Sequence, residues 1–284
     1  MRTILVPTDY SAVAQNAVNY ALHLAKEETN QPNGQQTEVI LFHVFHIPLP
    51  TYDGPVAVVN FAEIEHSENL KMEKLVSKLK SETENEIKIS GHVFPGLIND
   101  EITDFCSKKH VHLIIMGLTG GGEIKEFFAG SNALSVAKHV QTDVLIIPPK
   151  AVYKRIKQIS LATDLMEIDV PTVSKTLNYY CMLFGAKAEI VNVKDAFTFP
   201  REERKINEKK LLRELANVEH SVFQPYHEDA AEAINIHLRI NKSDWLAVIH
   251  KDYGFFKNIF HKSLTKQLAF HSDIPVLSIN QKNN

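Results

Sequence analysis

The sequence predicts an α/β protein of two tandem domains, each a five-stranded parallel sheet with helices on both faces. Three observations predict it. Short apolar runs alternate with longer helix-patterned segments throughout the first half. The apolar runs are almost unbroken in Val, Ile and Leu, as strands buried on both faces are. The second half then repeats the order of the first, in a chain of 284 residues that exceeds one compact core of ordinary size.

Taken in order, TILVPT is the first strand, and Ala14, Ala17, Val18, Ala21, Leu24 and Ala25 then recur at helical spacing. EVILFHVF is the second strand, followed by a polar loop with Pro48, Pro50 and Pro55. From Phe61 to about Glu84 the pattern is helical and heavily charged, so that helix keeps one face in water. IKISGHVF is a third strand, NDEITDFCSKK a helix, HLIIMG a fourth strand, SNALSVAKHV a helix and DVLIIP a fifth strand.

In the second half RTILVPTDYS is answered by KQISLATDLM, which aligns Asp9 with Asp164. VILFHV is answered by EIVNV, placing Val44 against Val193, and HLIIMG by WLAVIH, placing Gly117 against His250. AKHVQTDVLII is answered by AFHSDIPVLSI at a spacing of 132 residues. Two prolines at Pro148-Pro149-Lys150 mark the joint, so the domains are expected at 1–149 and 150–284.

The composition, 44% hydrophobic and 23% charged, is that of a folded globular chain. Residues 1–150 carry 12 Lys and Arg against 18 Asp and Glu, and the rest 19 against 16. Neither half has the dense basic field of a nucleic-acid binder. Cys106 and Cys181 fall in different halves, which suits a reduced, cytoplasmic protein without a disulfide framework. Met1-Arg2-Thr3 leads straight into the first strand, leaving no room for a signal peptide, and no apolar run approaches the roughly 20 residues that cross a bilayer.

Five of the chain's 11 glycines fall between Gly117 and Gly130. Glycine accepts positive φ and lets a ligand approach the backbone without meeting a Cβ. Gly117, Gly120, Gly121 and Gly122 follow the fourth strand, and Gly130-Ser131 precedes the helix SNALSVAKHV, whose first turn has unpaired N–H groups. Such a backbone can wrap an anion, with the Ser131 hydroxyl as an added donor and Lys125 either above a phosphate or in solvent. The plainer alternative is a flexible loop and an ordinary serine N-cap worth about 1 kcal/mol.

The spacing Gly117-x2-Gly120-x9-Gly130-Ser131 resembles the signature of ATP-binding members of the universal stress protein family, and ILVPTDYS and VILFHV resemble that family's first and second strands. The duplicated arrangement is similar to the tandem members. The resemblance implies Rossmann-like domains akin to adenine nucleotide hydrolases. It implies that Pro7 and Thr8 form the turn after the first strand, that Asp9 bonds the adenosine at its ribose, and that Val44 receives the adenine edge through its backbone. Met116 and Gly117 would lie beside the sugar and Gly120 beside the phosphates, with Gly130, Ser131, Asn132 and Ala133 donating N–H groups to the phosphate chain. The ligand so implied is ATP, or AMP or ADP, with Mg²⁺ or Mn²⁺ bridging phosphate oxygens. The third consecutive glycine, Gly122, and the pair Asn132-Ala133 depart from the pattern. Asp9 also has a capping alternative at the start of the first helix, a place Ser11 can equally take.

The second half departs further: His250 stands where Gly117 stood, Tyr253 opposite Gly120, and Ser263 opposite Gly130 or Ser131. This half is expected not to bind ATP in the family manner; His250, His261, Lys262 and Ser263 around another anion is the minor alternative. The pairs His43 with His46 and His110 with His112 lack a Cys or acidic set at metal-ligand spacing, so no metal site is assigned. No P-loop, nucleophile elbow or HExxH motif occurs. The expected function is an adenine-nucleotide-dependent regulatory module of the stress response, with no catalytic residue assigned. A slow ATPase or self-phosphorylating enzyme and a ligand-free scaffold are the alternatives. The fifth strands, DVLIIP and PVLSI, are edges of the kind this family pairs, either within one chain as a pseudo-dimer or between chains as a homodimer.

Overall fold

The computed structural model describes residues 1–31, 36–46, 60–118, 131–194, 202–250 and 274–281. The chain runs β1 (Arg2–Pro7), α1 (Ala12–Thr29), β2 (Thr37–Phe45), α2 (Phe61–Glu82), β3 (Lys88–Pro95), α3 (Ile98–Lys108), β4 (Leu113–Gly117), α4 (Ser131–His139) and β5 (Val144–Ile147). It continues with β6 (Gln158–Ala162), α5 (Val170–Phe184), β7 (Lys187–Val191), α6 (Glu202–Glu214), β8 (His220–Phe223), α7 (Ala230–Ile240), β9 (Trp245–His250) and β10 (Val276–Asn280). Among the described residues, Met1–Met116 and Ser131–Val140 form one compact unit and the remainder a second.

In the first unit the strands lie in the order β3-β2-β1-β4, all parallel. Ile4, Leu5 and Val6 of β1 are fully buried, which is why this strand spells itself as an apolar run. The α1 stripe of Ala14, Ala17, Val18, Ala21, Leu24 and Ala25 is buried, with the i, i+3, i+4 spacing of a helix lying on a sheet. Adjacent β2 residues show helices on both faces, because successive strand side chains point oppositely. Phe42 packs edge-on against Phe105 of α3, while His43 turns the other way, to Glu68 of α2. Only Met72 and Leu79 of α2 are buried, so its remaining residues keep contact with water. That helix presses on β3 at Gly91, where a Cβ would lie 2.5 Å from Met72 Cγ.

The second unit has the order β5-β10-β9-β6-β7-β8. Its strands are parallel except for β10 with β5, which pair antiparallel from Val276↔Ile146 to Ser278↔Val144. Here β6 lies between β7 and β9, as β1 lies between β2 and β4: the first strand of each half is flanked by the second and the fourth. The result is a Rossmann-like α/β arrangement seen twice. The core of this unit centres on Trp245, with the rings of Tyr180 and Phe184 edge-on to it at 5.1 and 5.3 Å. α5 starts at an Asp169 cap and ends at Gly185, whose φ of 62° is the left-handed value that a helix terminus of this kind favours glycine for. Asp143, just before β5, accepts from the Asn280 amide at 2.9 Å and from the Thr176 hydroxyl at 3.1 Å, tying β10 and α5 to that strand.

Candidate functional site

In a doubly wound sheet the ligand edge lies beyond the carboxyl ends of the strands, where strand order reverses. In the first unit the chain moves outward from β1 through β2 to β3, then returns to β4 on the other side of β1, so the reversal falls between β1 and β4. β1 and β4 run in register as Ile4↔Leu113 and Leu5↔Ile114. Carried forward two residues, that register sets Met116 level with Pro7.

The turn that leaves β1 is built from its own side chains. The Thr8 amide donates to the Phe42 carbonyl at 2.9 Å, holding the buried threonine to β2 one residue beyond the strand. The Thr8 hydroxyl accepts the Tyr10 amide at 3.1 Å, and Asp9 Oδ1 accepts the Ser11 amide at 3.0 Å. Between them Tyr10 is held at φ 62°, a left-handed conformation that costs a non-glycine residue on the order of 1–2 kcal/mol. Ser11 is extended, and its hydroxyl accepts from the Ala14 amide at 3.2 Å, making it the N-cap of α1. The two capping alternatives are thereby separated: Ser11 caps the helix, and the exposed Asp9 braces the turn.

The aligned turn in the second half of the chain has the same construction. Thr163 donates to Val191 at 3.1 Å, its hydroxyl accepts the Leu165 amide at 3.0 Å, Asp164 Oδ1 accepts the Met166 amide at 3.1 Å, and Leu165 sits at φ 59°. A strained turn reproduced bond for bond is a property of the Thr-Asp sequence and its surroundings.

Behind the first turn stands His43. Its Nδ1 lies 2.7 Å from the Thr8 carbonyl oxygen, which can only accept, so Nδ1 carries the hydrogen. Its Nε2 lies 3.4 Å from Glu68 Oε2 on α2. The Tyr10 ring rests against the imidazole at a centroid separation of 4.6 Å, and its hydroxyl points to the Glu68 carbonyl. Burial, and then the Glu68 charge, push the Tyr10 phenol up to about 12, so it is neutral at physiological pH.

Of the residues singled out in the sequence, Pro7 ends β1 and Thr8 and Asp9 form its turn. Val44 is half-buried in β2, opposite Phe94 of β3, and Met116 is buried in β4, which Gly117 ends. Ser131 opens α4; Asn132 is exposed in its first turn and Ala133 is buried, 2% accessible. An Asn99–Ser135 hydrogen bond of 2.8 Å ties α4 to α3. Gly120, Gly130, Gly122 and Lys125 lie outside the described residues, as do Tyr253, His261, Lys262 and Ser263. His250 ends β9 as Gly117 ends β4. Tyr10, His43 and Glu68 were not assigned to the site by sequence reasoning. The signal that finds His43 is its alignment, one residue before Val44, with Asn192: both are hydrogen-bonding side chains at the end of an apolar strand.

A depression of about 530 Å³ in the second unit, lined by Arg155, Lys157, Cys181, Phe184, Lys187 and Glu219 among others, opens at the amino ends of β6 and β7. That is the sheet edge opposite to the one ligands use. Among the described residues no group of three or more His, Cys, Asp or Glu is placed to hold a metal ion, and no helix is long and apolar enough to cross a membrane.

Comparison with known proteins agrees with this fold. The family model described as "Universal stress protein family" matches residues 1–148. Universal stress protein MJ0531 of Methanocaldococcus jannaschii is 29% identical over 149 residues, covering 51% of this chain and 81% of its own. Universal stress protein MJ0577 of the same organism is 28% identical over 164 residues, covering 52% of this chain and 96% of its own. The crystal structure of a universal stress protein from Archaeoglobus fulgidus spans 98% of both chains with a TM-score of 0.73 at 15% identity, a likeness of fold.

Proposed function

This chain belongs to the universal stress protein family, and from that membership we propose that its amino-terminal repeat binds an adenine nucleotide and acts as a nucleotide-dependent regulatory module in the stress response. The observation that carries the proposal is the braced Thr8-Asp9 turn, which leaves the Asp9 carboxylate exposed at the carboxyl end of β1, beside the strand-order reversal. In this reading Asp9 bonds the ribose, the Val44 backbone meets the adenine edge, and Pro7, Thr8, Met116 and Gly117 shape the crevice. Gly120, Gly130, Ser131, Asn132 and Ala133 present backbone N–H groups to the phosphates, a role that suits a buried Ala133 side chain because only its main chain is needed. ATP is the proposed ligand, with ADP and AMP as its shorter forms. Mg²⁺ or Mn²⁺ would be held by phosphate oxygens and water, which asks for no protein ligand cluster.

We read the chain as two tandem domains, 1–149 and 150–284, the second degenerate in its nucleotide loop and the whole cytoplasmic. The antiparallel pairing of β5 with β10 supports an intramolecular pseudo-dimer over a homodimer formed through the same strands. No residue is assigned a catalytic role, and turnover of ATP, where it occurs, is slow.

The test is mass spectrometry of small molecules released by denaturing the purified protein, followed by calorimetric titration of ATP into wild type and Asp9→Ala. The proposal expects an adenine nucleotide in the released material, or saturable ATP binding that Asp9→Ala weakens about tenfold, as loss of one hydrogen bond to ligand does. Absence of both overturns it. Sustained Mg²⁺-dependent turnover would move the protein to the enzyme class.

A further inference from the structure

We propose that His43 is a positioning residue of the nucleotide turn: its imidazole holds the Thr8 carbonyl and so fixes the direction in which Asp9 is presented, as Asn192 does for the aligned turn in the second repeat. The proposal rests on the nucleotide reading of that turn for its functional half, and on geometry for its structural half.

The geometry is a repeated hydrogen bond made by two different side chains. His43 Nδ1 lies 2.7 Å from the Thr8 carbonyl oxygen, and Asn192 Nδ2 donates to the Thr163 carbonyl oxygen at 2.8 Å. The two residues are equivalent: each is one position before the aligned valines Val44 and Val193, and each follows the residue whose carbonyl accepts the threonine amide by one position, Phe42 and Val191. The donors are also equivalent atoms, since Nδ1 of histidine and Nδ2 of asparagine both stand one bond beyond Cγ. Both residues are buried, at 9% and 3% exposure, so the carbonyl they serve is shielded and a lost donor is not readily replaced by water.

The carbonyl in question lies two residues before the left-handed residue in each turn, Tyr10 or Leu165. Anchoring it fixes one end of the strained segment while the threonine hydroxyl and aspartate carboxylate fix the other. What histidine adds over asparagine is reach. Its second nitrogen lies 3.4 Å from the Glu68 carboxylate, so in the first half the same side chain reaches from the turn to the helix after β2. In the second repeat α6 reaches its turn by a separate route, with Asn207 donating to the Leu165 carbonyl at 2.9 Å. The donor function and the helix link are thus separable, and asparagine is the replacement that this fold already uses for the first of them.

The experiment compares full-length wild type with His43→Asn and His43→Leu by two readouts. The first is hydrogen exchange of the Tyr10 and Ser11 amides without nucleotide; the second is ATP affinity by calorimetry. His43→Leu should speed exchange at both amides and weaken ATP about tenfold, the loss expected when one buried hydrogen bond is removed, whereas His43→Asn should stay within about twofold of wild type in both. The proposal is overturned if His43→Leu leaves the exchange unchanged, or if His43→Asn is as impaired as His43→Leu, which would assign the effect to the ring or to Glu68. Should His43→Leu fail to fold, His43→Asn decides alone, and a tenfold loss in that folded variant overturns the proposal. Failure of wild type to bind any adenine nucleotide would overturn the functional half with the nucleotide reading, while the exchange readout still judges the structural half.

Discussion

The paired turns allow one perturbation to be made twice in the same molecule, with different expected results. Thr8→Val and Thr163→Val each replace a buried hydroxyl with a methyl group of similar size, at positions 6% and 4% exposed. Each removes the acceptor of a backbone amide, that of Tyr10 at 3.1 Å or Leu165 at 3.0 Å, from a residue held at positive φ. A net hydrogen bond is worth about 0.5–1.5 kcal/mol, and an amide left buried without a partner costs up to about 3 kcal/mol. Leu165 is fully buried and Tyr10 only half-buried, so water can relieve the first turn more readily. Thr163→Val is therefore expected to cost about 2–3 kcal/mol and Thr8→Val about 1–2 kcal/mol. Urea unfolding followed by circular dichroism measures both, with unchanged slopes as the condition for comparing midpoints. Calorimetric titration should then show the opposite order for ATP: about tenfold weaker binding for Thr8→Val, and no change for Thr163→Val. The reasoning is refuted if Thr163→Val is as stable as wild type, or if it weakens ATP as much as Thr8→Val does.

Gly91→Ala should destabilise by about 1–3 kcal/mol through overpacking, because the added Cβ would lie 2.5 Å from Met72 Cγ and 2.9 Å from Val76 Cγ2; thermal melts will show part of that loss recovered by Met72→Ala in the same chain. His112 is pulled down from 6.5 to about 4, by burial first and then by Arg2, His110 and the amino terminus. The unfolded chain therefore takes up the proton first, so this residue's contribution is complete above about 6.5 and lost as pH falls towards 4. His112→Asn should flatten the fall in urea midpoint across that window. Cys181, 1% exposed and pushed by burial to about 12, should resist iodoacetamide at pH 8 until the protein unfolds, while the half-buried Cys106 reacts in the native state, as peptide mapping will show.

Much of the architecture was legible because strands buried on both faces write themselves as apolar runs. TILVPT differs from the observed Arg2–Pro7 by one residue at each end, and the helix read as SNALSVAKHV ends one residue later than the observed Ser131–His139. Elements without such burial left no mark. β8, whose last three residues are exposed, and α6, with Leu211 as its buried residue, carry little apolar periodicity, and neither was assigned from sequence. At the site, the Thr-Asp turn could be read from its repetition, but its bracing could not, since Asp9 and Ser11 are both plausible caps on composition. His43 escaped for a different reason. A histidine in a strand is weighed as a metal ligand or a surface residue, and nothing local reveals that it faces a carbonyl 35 positions earlier in the chain. Its agreement with Asn192 becomes meaningful only once both carbonyls are seen to need a donor.

The seat of β10 between β5 and β9 bears on how this protein is made by the ribosome. The Asn280 amide finds its acceptor, Asp143, 137 positions earlier. Translation must therefore deliver β6 to β9 before β10 can be inserted, and contacts of such long span form slowly. Until β10 emerges, the rims of β5 and β9 that it covers are unpaired, and each can join a neighbouring nascent chain instead. A chaperone that shields those two rims would act after the strands of the β3-β2-β1-β4 sheet have emerged and before β10 has been inserted.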